Sequence, residues 1–158
     1  YFHNKKELYL FLWENCAQLT IEELTKSGCY EQKDLFEAMY KGTQAKVRIM
    51  RRYPEIGKFT LKVYYEKDPE VRADIQKSIA KYADFKQNVK QLNFDSSQFV
   101  PGIDIEMMYN DMYWASEGYI WEKIQDEKYD MMERDFLKMV DFWKSIYLRK
   151  EGEHDEGN

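Results

Sequence analysis

Apolar side chains recur along this chain at steps of three and four residues rather than in alternation, a period that predicts helices almost throughout. In the first helix they form two overlapping rows, Leu8, Leu12, Cys16, Leu19 and Leu10, Trp13, Ala17, Ile21, Leu24, a face wide enough to pack on more than one side. Asn4 is placed to cap that helix and Glu7 to close a capping box, and Ser27–Gly28 stops it after about Lys26. A second helix is predicted from Gln32 to Tyr53, with Phe36, Met39, Tyr40, Val47 and Met50 inward and Lys46, Arg48, Arg51 and Arg52 outward. Pro54 ends it, and Glu55 to Glu66 reads as a short helix carrying Phe59, Val63, Tyr64 and Tyr65. Asp68 and Pro69 restart the chain as cap and first helical residue. From there Val71, Ile75, Ile79, Tyr82, Phe85, Val89 and Leu92 keep a clean helical period. Residues 93–102 read as a loop, and Asp104 caps a fifth helix to about Gln125. A sixth runs from about Lys128 to Lys150, and the acidic, Gly-punctuated remainder to Asn158 is expected to fray. The expectation is an all-α bundle of about six helices.

The last two helices carry more apolar surface than one core needs. On the sixth, Met131, Phe142, Ile146, Met139, Met132, Trp143, Phe136, Tyr129, Tyr147 and Val140 span about half the circumference at ~100° per residue. On the fifth, Ile105, Met108, Tyr109, Met112, Ser116, Tyr119 and Ile120 form one arc. Met107, Trp114, Gly118 and Trp121 form another, with polar stripes between. Such helices are expected to meet a second partner and to supply half of an intermolecular four-helix bundle.

Composition narrows the function. Only 7 Gly and 3 Pro among 158 residues, with 34% charged, favour helix over a turn-rich β architecture, and the length fits one domain. A 16% aromatic content suits a thick core or a ligand pocket. The net charge of −5, with Lys and Arg dispersed, argues against nonspecific nucleic-acid binding by this body. Cys16 and Cys29 lie outside any Cys-x-x-Cys pattern, so buried, inert thiols and a reducing cytoplasm are expected. No apolar run approaches the ~20 residues of a membrane span. The only histidines, His3 and His154, leave a Ser or Cys nucleophile without a base, and neither Glu-x-x-His pairs nor zinc spacing is present. No enzyme and no cofactor are expected.

The opening Tyr1-Phe2-x-x-Lys5-x-Glu7-Leu8 resembles the exit of the helix-turn-helix in bacterial regulators of the tetracycline-repressor (TetR) family. Gly102-Ile103-Asp104-Ile105-Glu106 and Trp114-Ala115-Ser116-Glu117-Gly118-Tyr119 are similar to the penultimate helix of many such regulators, and Pro54-Glu55 with the aromatic stretch after it to their middle region. The resemblance implies that residues 1–8 are the end of a DNA-binding head and joint, 9–150 a ligand-binding and dimerisation domain, and 151–158 a disordered tail. With no initiator Met, the head itself is expected upstream. It further implies DNA-phosphate contact by Lys5, with Tyr1 and His3 near the backbone; exposed first-turn lysines are the plainer alternative. By helix face, the family's pocket maps onto Trp13, Met39, Met50, Phe59, Tyr64, Phe85, Tyr109 and Tyr113 as walls, with Asn110 and Glu117 as polar anchors. A flat or lipophilic ligand would suit it, and a carboxylate among aromatics would favour a cation. Ordinary core packing of the aromatics, and a Glu117 facing solvent or paired with a nearby base, are the alternatives. The homodimer interface is expected at Trp114, Trp121, Met132, Phe136, Met139, Val140, Trp143 and Tyr147. The implied function is a cytoplasmic repressor released from operator DNA by a small-molecule effector. A helical dimeric protein-interaction module without DNA binding and a small enzyme acting through carboxylates such as Glu117 are the rivals.

Overall fold

Polar side chains at the chain's turning points set where its helices begin. In the computed structural model, which describes the backbone of residues 1–90 and 94–152 and the side chains of these except 82–90, α1 spans Lys5–Lys26 and α2 Leu35–Arg52. They are followed by α3 at Pro54–Tyr64, α4 at Pro69–Lys90, α5 at Ile105–Asp126 and α6 at Tyr129–Tyr147. The all-α bundle of about six helices expected from the periodicity is the fold, with six α-helices among the described residues.

Asn4 Oδ1 accepts the Glu7 N–H at 2.9 Å, and Asp104 Oδ1 accepts the Met107 N–H at 3.0 Å, each supplying an acceptor that the first helical turn lacks. The Glu7 carboxylate accepts from the His3 N–H at 2.8 Å, one residue before the cap that a capping box uses. α2 starts later than expected because Asp34 Oδ1 caps it, taking the Phe36 and Glu37 N–H groups at 2.8 and 3.0 Å. The preceding Cys29–Glu31 forms a separate 3-10 turn, entered through Gly28 at φ +70°. α6 stops at Tyr147, short of the expected Lys150. Leu148 turns extended and pairs with Phe99, through Val100 N–H to Tyr147 O at 2.9 Å and Arg149 N–H to Gln98 O at 2.8 Å. The predicted loop at 93–102 thus doubles as a strap holding the end of α6. The expected inward positions Tyr82, Phe85, Val89 and Leu92, and the tail at 153–158, lie outside the described residues or side chains.

α2, α5 and α6 enclose two apolar clusters. Leu35, Phe36, Met108, Met112, Phe136, Val140 and Trp143 with Phe99 form one, and Val47, Met50, Ile120, Ile124, Tyr129 and Met132 the other. α1, α3 and α4 close a third around Trp13, Val63, Val71 and Ile75. α1 packs against α2 and α3 packs against α5, which joins the two layers.

This packing corrects the expected dimer surface. Met132, Phe136, Val140 and Trp143 are at most 4% exposed, because α6 is gripped on one side by α2 and on the other by α5. Met139 and Tyr147 pack against the same core, and the Tyr147 hydroxyl donates to Asp111 at 3.0 Å. Only Trp114 of the expected set stands clear of the molecule, at 60% exposure. The two-arc reading of α5 holds in part: Met108, Met112, Ser116 and Ile120 are buried and Met107, Trp114 and Gly118 face out, but Ile105 of the first arc is exposed and Trp121 of the second packs inward. Phe142, Ile146, Leu137 and Met131 supply the exposed apolar positions of α6.

Candidate ligand cavity

Between the two layers, one stripe from each of four helices faces a cavity of about 250 Å³. α1 contributes Trp13, Cys16, Ala17, Thr20, Ile21 and Leu24, the three- and four-residue steps of one helical face. α2 contributes Lys46, Ile49 and Met50; α3 contributes Ile56, Gly57, Thr60 and Tyr64. α5 contributes Tyr113, Glu117, Ile120, Trp121 and Ile124, while Ile79 of α4 and Tyr30 of the 3-10 turn complete the wall. Part of the wide apolar face of α1 is explained here, since the row from Leu10 and Trp13 to Leu24 meets α4 and the cavity, whereas Leu8 and Leu12 of the other row stay exposed.

The cavity is polarised along its length. In α2, Lys46 lies a turn before Met50, and in α5 Tyr113 and Glu117 lie up to three turns before Ile124, so their polar groups gather toward one end with Tyr30. Lys46 Nζ donates to Glu117 Oε1 at 2.8 Å, with the two side chains 31% and 20% exposed. Burial pulls the Lys46 pKa down, but the adjacent Glu117 carboxylate more than offsets this and holds it above the ordinary lysine value. The ammonium therefore persists through neutral pH. Burial also raises Tyr30, Tyr109 and Tyr113 above the ordinary phenol range, so all three stay neutral there.

At the other end Gly57 lets α3 approach closely: a Cβ on it would lie 3.2 Å from Met50 Cγ and 3.3 Å from Ile124 Cδ1. Tyr64 and Trp121 meet with ring centroids 5.6 Å apart, Tyr64 being exposed. Trp13 is anchored by its ring N–H, which donates to Ser78 Oγ at 2.8 Å, and Ser78 donates on to Glu14 Oε1 at 2.5 Å. That relay pins α1 to α4 beside the cavity.

Of the expected pocket residues, Trp13, Met50, Tyr64, Tyr113 and Glu117 are brought together. Met39 packs into the core of α2, α5 and α6 instead, and Phe59 turns to the α1–α4 side, edge-on to Tyr9 at 5.3 Å. Tyr109 stands behind the wall, stacked on Tyr113 at 6.5 Å and 7°, and Asn110 does not line the cavity. The Phe85 side chain lies outside the described side chains. Trp121, expected at the dimer interface, lines the cavity, and Lys46, expected outward, points into it. Tyr30, Cys16 and Ile56 were not anticipated; Cys16 and its neighbours sat in the apolar rows of α1, which were the only signal.

Tyr1, His3 and Lys5 are exposed at the start of α1, beside an apolar surface of Phe2, Leu8, Phe11 and Leu12. The helix N-terminus there already holds Asn4 and the Glu7 carboxylate. Cys29 is buried with its thiol against Leu24 O at 3.3 Å, Cys16 is half-buried, and burial pushes both thiols up. Among the described residues no group of three His, Cys, Asp or Glu side chains is placed to hold a metal, and no helix is long and apolar enough to cross a membrane. In comparisons with known proteins, no family model, no curated protein and no solved structure matches this chain.

Proposed function

We propose that this chain is the ligand-sensing and dimerising body of a TetR-like transcriptional regulator, with the cavity between its two layers as the effector site. The observation that carries the reading is the cavity itself. Small-molecule sites are concave, largely apolar clefts with a few convergent polar groups. Here about 250 Å³ is kept open among apolar and aromatic walls with a single ion pair at one end. The volume suits an effector of roughly eight non-hydrogen atoms, at a liquid-like share near 30 Å³ per water-sized group.

The resemblance of Tyr1–Leu8 supports the regulatory part, as does the position of α1. Its C-terminal half forms a wall of the cavity, and its N-terminus carries Tyr1, His3 and Lys5. A ligand that bears differently on two positions of α1 would shift a head attached there and change its match to half-sites about one DNA turn apart. In this reading the apolar surface around Phe2, Leu8, Phe11 and Leu12 is covered by that head. A helical interaction module without DNA binding is the second reading, favoured by the exposed Met107, Trp114 and Phe142.

Propylbenzene titrated against tryptophan fluorescence tests the sensing part. Saturable quenching at one site per chain is expected, and Ala17→Phe, which fills the cavity, should abolish it while the far-UV spectrum is kept. Absence of saturable binding by propylbenzene and also by its para-hydroxyl, carboxylate and aminomethyl analogues would sink the sensing reading. A helix-turn-helix segment before Tyr1 in the reading frame favours the regulator, and its absence favours the interaction module.

A further inference from the structure

The walls of the cavity also select among head groups. A carboxylate alone among aromatic rings would call for a cation, but Lys46 already supplies one at 2.8 Å from Glu117. The pair is internally balanced, and the other polar groups at that end, Tyr30 and Tyr113, are phenols. A ligand carboxylate placed against Lys46 would crowd Glu117, and a ligand ammonium placed against Glu117 would crowd Lys46. In either case one net charge would be left uncompensated in a partly desolvated cleft, where the two side chains keep only 31% and 20% exposure. A neutral group that both donates and accepts avoids this: it takes a hydrogen bond from the Lys46 ammonium and gives one to the Glu117 carboxylate, and bonds to charged partners are the stronger kind. The remaining walls, from Ile49 and Met50 to Ile56 and Ile124, are mostly apolar, and the hydroxyls of Thr20 and Thr60 among them already donate to the Cys16 and Ile56 carbonyls of their own helices.

We propose that the cavity's ligand is an uncharged amphipathic molecule, a small aromatic or aliphatic body carrying one hydroxyl or amide head that docks on the Lys46–Glu117 pair. The inference rests on the cavity being a ligand site, as proposed above. Because the Lys46 ammonium persists through neutral pH, the preference for a neutral head is constant across the physiological range.

Four matched probes test it at pH 7 by tryptophan fluorescence titration: 4-propylphenol, propylbenzene, 4-propylbenzoate and 4-propylbenzylamine. The phenol is expected to bind at least tenfold more tightly than the benzoate, the ammonium or the plain hydrocarbon. In the double variant Lys46→Met/Glu117→Leu, which leaves neither charge unpaired, the phenol should fall to the affinity of propylbenzene, whose own Kd changes less than threefold. Tighter binding of the benzoate or the benzylammonium overturns the proposal, as does a phenol preference that survives the double variant. Should the double variant not fold, the wild-type probe series decides alone. Binding of propylbenzene with no gain for the phenol defeats only the head-group inference, whereas failure of all four probes defeats the ligand site and this inference with it.

Discussion

Lys46 sits on α2 two residues before Arg48, which is exposed, yet its ammonium is turned into the cavity. The difference is its partner: Glu117, 71 positions away on α5, lies opposite. Removing one member of the pair leaves the other charge half-buried without its counter-ion. Lys46→Met is therefore expected to cost about 1–3 kcal/mol in urea denaturation, and Lys46→Met/Glu117→Leu less than the sum of the two single changes. Ser78 acts similarly for Trp13. It is 8% exposed and accepts the indole N–H at 2.8 Å, so Ser78→Ala strands a buried donor and should cost about 1–2 kcal/mol by the same measurement. That Glu117 pairs with a base was one of the alternatives the sequence offered, but which base, and the Ser78 partner of Trp13, were not legible, because helical periodicity ranks residues by polarity and says nothing of what a second helix places opposite them.

At the scale of the helices, caps and breakers were readable because they act within four residues. Asn4, Asp68 and Asp104 each accept backbone N–H groups where expected. The end of α6 was not readable, since its pairing with Phe99 joins segments far apart in the chain. Gly57 marks the closest approach of α3 to its neighbours. Alanine there gains helix propensity of about 1 kcal/mol but pushes on Met50 and Ile124. Both side chains border the cavity and have room to yield into it. Gly57→Ala should accordingly change stability by less than about 1 kcal/mol while weakening propylbenzene binding severalfold. α1 and α4 are further tied by Lys6 and Asp74 at 2.9 Å, a hydrogen bond and charge that hold the Asp74 carboxyl below its ordinary 3.8. A carboxyl whose pKa is depressed on folding stabilises above its unfolded value, and that contribution is lost as pH falls through the folded one. The stability difference between wild type and Asp74→Asn should thus be present at pH 7, shrink as pH falls below ~4 and be lost once the folded-state carboxyl is protonated, and be smaller in high salt because the pair is exposed.

For the whole molecule, the open question on the surface is what meets Met107 and Trp114 of α5 and Phe142 and Ile146 of α6, which remain exposed after the chain has packed on itself. The homodimer proposal assigns them to a second copy. Sedimentation at micromolar concentration should then give twice the chain mass, and Trp114→Glu or Phe142→Glu should give the monomer with the helical spectrum intact; a wild-type monomer would sink the proposal. The sequence expectation named the right two helices and mostly the wrong face of α6, because a half-circumference of apolar residues looks the same whether two helices of its own chain or a partner cover it. The sequence alone determined the helical class, the number of helices and most of their starts, since these follow from a 3.6-residue period and from local hydrogen bonds to Asn, Asp and Pro-led turns. Tertiary structure alone decided that Lys46 faces Glu117, that Met132, Phe136, Val140 and Trp143 are core, and that a cavity opens between the layers. Each of these depends on which faces of distant helices meet, a property of the assembled bundle and not of any one segment.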